Sequence, residues 1–275
     1  MLQVVRSEFF IQCPLNLALL QGMITLALMD IVRDYREQGF VSGIDILDPD
    51  EVAYHRAQWN TLENKIGKDR AQIGVMNQHR EQDFIWKLAT HCRILDAVSQ
   101  ILGPDIVLFG THFFCKYPVQ IGTDEPFIAW HQDVTYWGLT PPQVAAAWLA
   151  IDDVDIKNGA MRIIPRSHTK GIFNHGKSQK VGNLLSVNQE VDETLLDSDN
   201  AVDIELRAGQ ASLHDGLTVH GSSPNRSMRR RCGVTIRYIT PKVQIHREPN
   251  RPFNWCPSVV RGEDRYQLNE YLPPL

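Results

Sequence analysis

The chain has 275 residues, 43% hydrophobic and 22% charged, with a formal net charge of -4. That balance suits a globular protein with one sizeable core and excludes the basic footprint of a nucleic-acid-binding protein. Five scattered cysteines, Cys13, Cys92, Cys115, Cys232 and Cys256, show no CxxC spacing; free thiols in a reducing cytoplasm are expected, with neither a disulfide framework nor a zinc knot.

The stretch Phe9 to Met29 is apolar and follows a lone Arg6, but Gln12, Pro14, Asn16 and Gln21 interrupt it and no A-x-A cleavage site follows. Residues 1–29 are therefore read as an N-terminal extension of uncertain role, and membrane association is not expected. One domain is expected over 30–275, with a helical part 30–103, a β core 104–245 and a C-terminal segment 246–275. Spaced apolar residues predict a helix over Asp30 to Gly39, with the glycine as its stop, and a strand or turn follows at Phe40 to Leu47. Asp48, Pro49 and Asp50 mark the start of a second helix running to about Asn64. A third is predicted over Phe84 to Leu102, ended by Gly103.

After Pro104 the texture changes to short segments rich in β-branched and aromatic residues, such as IVLFGTHFFCKY, VAAAWLAI, QASLH and GVTIRYI, separated by turn residues. The fold class is therefore mainly β with flanking helices, a sandwich or barrel. Residues 169–200 read as a polar, loop-like insertion of the kind that covers a site.

The chemistry-bearing pattern starts in FIAWHQDVTYWGL, where His131 and Asp133 are two apart and share one face of an extended chain. His-x-Asp alone is a weak signal. A third ligand, His220 in LTVHGSSPNRS, stands at the end of another predicted strand. Two histidines and one carboxylate leave coordination positions open, as expected for non-haem Fe(II) oxygenases. A 2-oxoglutarate co-substrate also needs a fixed cation for its far carboxylate, and a planar guanidinium suits that role. Arg231, Gly233, Thr235 and Arg237 alternate with Cys232, Val234, Ile236 and Tyr238, so either Arg231 or Arg237 can point inward.

At these residues the chain resembles the phytanoyl-CoA hydroxylase (phytanoyl-CoA dioxygenase) family of iron(II)/2-oxoglutarate dioxygenases, over roughly residues 30 to 265. The likeness runs through YREQGF, LGPDIVLFGTHFFCKYP, WHQD, NGAMRIIPRSH and HGSSPNRSMRRR. The resemblance implies a double-stranded β-helix (jelly-roll, cupin-like) core and Fe(II) held by His131, Asp133 and His220. It further implies O2 and 2-oxoglutarate as co-substrates, with Arg231 binding the latter and Ser222, Trp148 and His112 lining it. Halogenating relatives carry Ala or Gly where Asp133 stands, so the carboxylate implies hydroxylation of a small-molecule metabolite with release of succinate and CO2. Arg166 replaces the glycine common in the family's PGSH turn. Asn77, His79, Tyr136 and Trp137 are candidate substrate contacts. His214 and Asp215 are expected to be structural, with Asp215-Gly216 a turn; His168 is a loop group, and Arg229 and Arg230 form a solvated edge. The competing expectations are a non-catalytic β-helix binding protein and a metal-dependent hydrolase on the same scaffold.

Overall fold

The computed structural model describes residues 31–119, 125–185, 187–246 and 255–275; the N-terminal extension lies outside them. Helix α1 (residues 31–38) stops at Gly39, whose φ of 85° lies in the left-handed region. A Cβ there would stand 2.6 Å from Thr218 Oγ1, so glycine is required by backbone and space together. Strand β1 (Phe40–Asp45) follows. Helix α2 (Pro49–Ile66) opens on a capping box in which Asp48 accepts from Glu51 N–H and the Glu51 side chain accepts from Asp48 N–H.

Beyond the short α3 (Lys68–Ile73), the predicted helix over Phe84 to Leu102 is two helices, α4 (Asp83–Ala89) and α5 (Cys92–Leu102). The break is held by side-chain contacts. His91 takes an extended conformation (φ -59°, ψ 130°) with Nε2 3.0 Å from Glu51 Oε1, and Thr90 Oγ1 donates to the Trp86 carbonyl. Periodicity alone does not register this, because apolar spacing is correct on both sides of the break. No helix among the described residues is long and apolar enough to cross a membrane.

The strands are β2 (Ile106–Lys116), β3 (Ile128–His131), β4 (Leu139–Thr140), β5 (Ala145–Ala150), β6 (Met161–Ile163), β7 (His175–Lys177), β8 (Gln189–Val191), β9 (Val202–Ile204), β10 (Gln210–Asp215), β11 (His220–Ser222), β12 (Arg231–Ile239), β13 (Gln244–Ile245) and β14 (Ser258–Arg261). They form a six-stranded antiparallel sheet, β1-β10-β5-β12-β2-β14, opposed by a four-stranded one, β3-β11-β6-β9. The architecture is a double-stranded β-helix, mainly β with flanking helices. Residues 169–200 are less irregular than their polarity suggests, since β7 and β8 pair as a small hairpin within them.

The large sheet carries two different faces. On β12, Cys232, Val234, Ile236 and Tyr238 enter the core shared with the helices, beside Leu213, Leu149 and Phe113. There Phe113 stacks on the fully buried Trp59 with ring centroids 4.1 Å apart, a burial worth about 1.5–3 kcal/mol for an aromatic of this size. The alternate residues Arg231, Thr235 and Arg237 face the small sheet with Trp148, His214, His112 and Phe114, and between the sheets they line a pocket of about 690 Å³ including its mouth.

The basic run after the distal histidine is an ion-paired seam more than a solvated edge. Arg230 forks onto Asp152 at 2.8 and 3.1 Å and reaches Glu63 at 2.6 Å, tying β12 to α2, while Arg229 pairs with Asp155. Cys115 and Cys232 are buried free thiols, and Cys13 lies outside the described residues.

Candidate metal centre

His131 ends β3 and His220 begins β11, and the antiparallel register sets them directly opposite each other. Their rings lie 4.2 Å apart. Gln132 keeps the chain extended for one more residue, so Asp133 returns to the same face at the start of a 3-10 turn. Gln132 itself points away and locks the covering segment, with Nε2 donating to the Gly171 and Leu217 carbonyls and Oε1 accepting from Phe173 N–H. One ligand atom from each of His131, Asp133 and His220 lies within 4.8 Å of the others, and all three residues are buried.

The imidazoles are also oriented as ligands. His131 Nδ1 is 2.9 Å from the Ala129 carbonyl and His220 Nδ1 is 3.0 Å from that of Thr218. A carbonyl only accepts, so each Nδ1 carries its proton and each Nε2 presents a lone pair to the common point. Burial and the neighbouring His131 and His214 rings hold His220 well below the usual imidazole range, which keeps it neutral. Burial works against charge on Asp133, yet the facing His214 imidazole and the nearby Arg237 guanidinium favour the ionised form and hold the carboxyl well below the usual range. Neutral nitrogens and an ionised carboxylate are what a divalent cation requires.

On one side of the triad stands Arg231, 3% exposed, with its guanidinium carbon 4.7 Å from the centre of the Trp148 ring and its Nε without a hydrogen-bond partner. Burial brings it down only to about 10, so it stays charged at neutral pH. Gly233 makes this stack possible, because a side chain there would run into the Trp148 ring. Ser222 lines the same end, and its Oγ accepts from Lys116 Nζ at 2.7 Å, which leaves the hydroxyl proton free to donate into the pocket. A buried, part-unpartnered guanidinium and a hydroxyl donor fit the far carboxylate of 2-oxoglutarate. His112 also lines the pocket, with Nε2 2.5 Å from the Ile73 carbonyl; burial and Arg237 push it down to about 3, so it is a neutral wall.

The candidate substrate contacts divide. Trp137 lines the pocket, and the Tyr136 side chain lies outside what is described. Asn77 and His79 do not line it. Asn77 Oδ1 accepts from Thr111 N–H at 3.1 Å, and His79 is bound between Thr111 Oγ1 and the Cys256 carbonyl at 3.0 and 3.3 Å, so both brace the link between α3 and β2. Their neighbour Met76 enters the pocket instead. His214 is not one of the three grouped ligands, in keeping with the expectation. Asp215 does form a turn, accepting from Leu217 N–H at 2.8 Å, but His214 faces the site with Nε2 3.8 Å from Asp133 Oδ2 and its ring 4.7 Å from that of His220. Arg237, left open as an alternative to Arg231, also faces inward. His168 is the loop group expected, with Nε2 3.0 Å from the Arg36 carbonyl. Arg166 takes φ 63°, the left-handed conformation that explains a glycine preference at that turn. Leu184 and Leu185, from the hairpin segment, close one wall of the pocket.

The family model for phytanoyl-CoA dioxygenase (PhyH) matches residues 35–233. A phytanoyl-CoA dioxygenase domain-containing protein 1 homolog of Dictyostelium discoideum is 34% identical over 238 residues, covering 84% of this chain and 74% of that protein. A probable alpha-ketoglutarate-dependent hypophosphite dioxygenase of Stutzerimonas stutzeri is 28% identical over 164 residues; that match spans 60% of this chain and 56% of the relative, little more than half its length. Among solved structures, the non-heme monooxygenase ThoJ in its apo form superposes with a TM-score of 0.72 at 29% identity, covering 90% of this chain and 88% of that one. With the family model spanning most of the chain, it belongs to the phytanoyl-CoA dioxygenase family of iron(II)/2-oxoglutarate oxygenases.

Proposed function

We propose that this chain is an Fe(II)- and 2-oxoglutarate-dependent oxygenase that hydroxylates a small-molecule metabolite, with His131, Asp133 and His220 as metal ligands and Arg231 as the co-substrate anchor. The observation that carries the reading is the buried His-Asp-His triad sharing one pocket with a buried guanidinium. Bound there, ferrous iron with 2-oxoglutarate and O2 supplies the oxidative chemistry, releasing succinate and CO2 as the substrate gains a hydroxyl.

The protein's own share is orientation and exclusion of water. The Ala129 and Thr218 carbonyls fix the ligand tautomers. Arg231, held over Trp148, and Ser222, bonded to Lys116, would hold the far carboxylate in the pocket shared with the triad. Trp137, Trp255, Met161, Leu184 and Leu185 keep the pocket apolar around the substrate. Trp148 and His112 would line the co-substrate, His112 as a neutral imidazole.

The test is anaerobic addition of Fe(II) and 2-oxoglutarate, read as the weak visible charge-transfer band of the chelate, followed by O2-dependent succinate release. The wild-type protein gives both, and His220→Ala gives neither. A wild-type protein without the band, or one that turns over with Zn2+ and no O2, overturns the assignment. A metabolite panel scored for a 2-oxoglutarate-dependent mass gain of one oxygen then identifies the substrate.

A further inference from the structure

Arg231 and Arg237 occupy the same face of β12 six positions apart, about 20 Å of strand. Each guanidinium is held over a different indole, Arg231 on Trp148 and Arg237 on Trp137, both at 4.7 Å. Arg231 stands at the Ser222 end of the pocket, where Lys116 is its cross-strand partner. Arg237 stands at the other end, beside Gly110 and Ala146, its neighbours in register. Gly110 admits the Trp255 indole and Asn77 Oδ1 where a Cβ would stand, which brings Trp255 against the sheet at this end.

Arg237 is 6% exposed, lines the pocket, and has no hydrogen-bond partner on Nε or Nη1. Its one ionic neighbour given by the structure is Asp133, with Nε 4.0 Å from Oδ2. That is not the geometry of a guanidinium built to serve a carboxylate. Arg230 in the same chain shows that geometry, forking onto Asp152 at 2.8 and 3.1 Å. Buried guanidinium donors are strongly unfavourable when unsatisfied, so Arg237 calls for an acceptor that enters the pocket.

Charge points the same way. A divalent ion and dianionic 2-oxoglutarate cancel each other, leaving Arg231 and Arg237 opposed by Asp133 alone. The loaded pocket therefore holds at least one surplus positive charge in surroundings formed by Trp137, Trp255, Ile73 and Met76. We infer that Arg237 is the substrate anchor of this enzyme, and that the substrate carries an oxyanion, a carboxylate, phosphonate or sulfonate, on a compact apolar body that rests against Trp137 and Trp255. The inference rests on the oxygenase reading and adds to it the charge class of the substrate and the residue that selects it.

The test uses calorimetric binding of 3-phenylpropionate, phenylphosphonate and benzenesulfonate, each against a neutral counterpart (the amide, the dimethyl ester and the sulfonamide). Titrations are run on the full chain both metal-free and loaded with Ni(II) and 2-oxoglutarate. The loaded wild-type protein is expected to prefer at least one oxyanion over its neutral partner by about tenfold to a hundredfold, the range for a charge-assisted bidentate contact; which of the three it prefers identifies the headgroup. R237Q abolishes the preference while Ni(II) and 2-oxoglutarate affinities stay within threefold, and R237K, which keeps the charge without the fork, retains part of it and guards against a misfolded glutamine variant. The inference is overturned if the wild-type protein prefers no oxyanion, if R237Q keeps the preference, or if R237Q weakens metal or 2-oxoglutarate binding beyond threefold, which assigns Arg237 to Asp133 or to the co-substrate. If 2-oxoglutarate fails to bind the wild-type protein, the oxygenase reading falls by itself, and the anion preference is still decided by the metal-free titrations.

Discussion

Replacing Gly233 with alanine tests how the co-substrate end of the pocket is held. The added methyl would drive into Cζ2 and Cη2 of Trp148 and stand 2.8 Å from Cε2. Ordinary carbon contacts lie at about 3.5–4.0 Å, so the indole must retreat by about 1 Å or more. Trp148 is 4% exposed and packed among Ala150, Val154 and Met161, so it has little room to do so. Gly233 lies outside the left-handed region, so alanine fits the backbone and recovers about 0.4–1 kcal/mol of chain entropy. Overpacking costs about 1–3 kcal/mol, giving a net loss of about 1–2 kcal/mol in a urea melt. The larger effect is functional. Arg231 rides on the displaced ring, and its charge-assisted bonds to 2-oxoglutarate should weaken by about tenfold or more, read by calorimetry on the Ni(II) form. Trp148→Phe shortens the ring, so Gly233→Ala should do less further harm in that background. Wild-type 2-oxoglutarate affinity in Gly233→Ala, with unchanged stability, would refute the dependence of Arg231 on Trp148.

Arg231→Gln should raise the 2-oxoglutarate Kd by about tenfold or more while Ni(II) binding persists; loss of the metal instead would place Arg231 in the wrong role. Lys116→Met removes an amine that donates to Ser222 O, Ser222 Oγ and Ser223 O, and should cost about 1–3 kcal/mol in urea melts by leaving buried carbonyls unpaired. Burial and Arg231 hold that amine well below the lysine range, so the unfolded chain binds a proton that the folded one resists. Wild-type stability should therefore gain with rising pH toward 10.5, and the variant should lack that slope. Burial likewise pushes His55 from 6.5 down to about 4; its contribution is intact above pH 6.5 and is lost as pH falls toward 4, and a His55→Leu chain that loses stability just as steeply over that interval would contradict this.

The fold was legible wherever one residue's neighbours along the chain decide its conformation. The capping residues before α2 and the alternation along β12 both follow from local patterning, because a strand buried on two sides must send every second residue to each side. The division of the long helix at Thr90 and His91 was not legible, since its cause is Glu51, forty residues away. The hairpin inside residues 169–200 was hidden for a related reason. Its strands are three residues each and polar, and they pair where Gln132 and Gln189 hold the segment against the metal loop.

At the site the dividing line is lateral register. His131 and Asp133 lie in one motif and His220 in another, so the sequence shows each fragment whole. His214, Arg237 and Asp133 meet only because β10 pairs with β5 and β5 with β12, setting His214, Ala146 and Arg237 in one row across the sheet. Nothing within six residues of His214 announces that row. Asn77 and His79 fail in the opposite sense, since polar residues in a buried stretch look like pocket contacts until the Thr111 groups that satisfy them are seen. A buried polar side chain is thus informative about ligands only after its protein partners are known. Asn77 and His79 are satisfied by the protein and brace it, whereas Arg237 keeps two nitrogens unsatisfied beside the triad, and that difference makes it the residue through which this pocket selects what it oxidises.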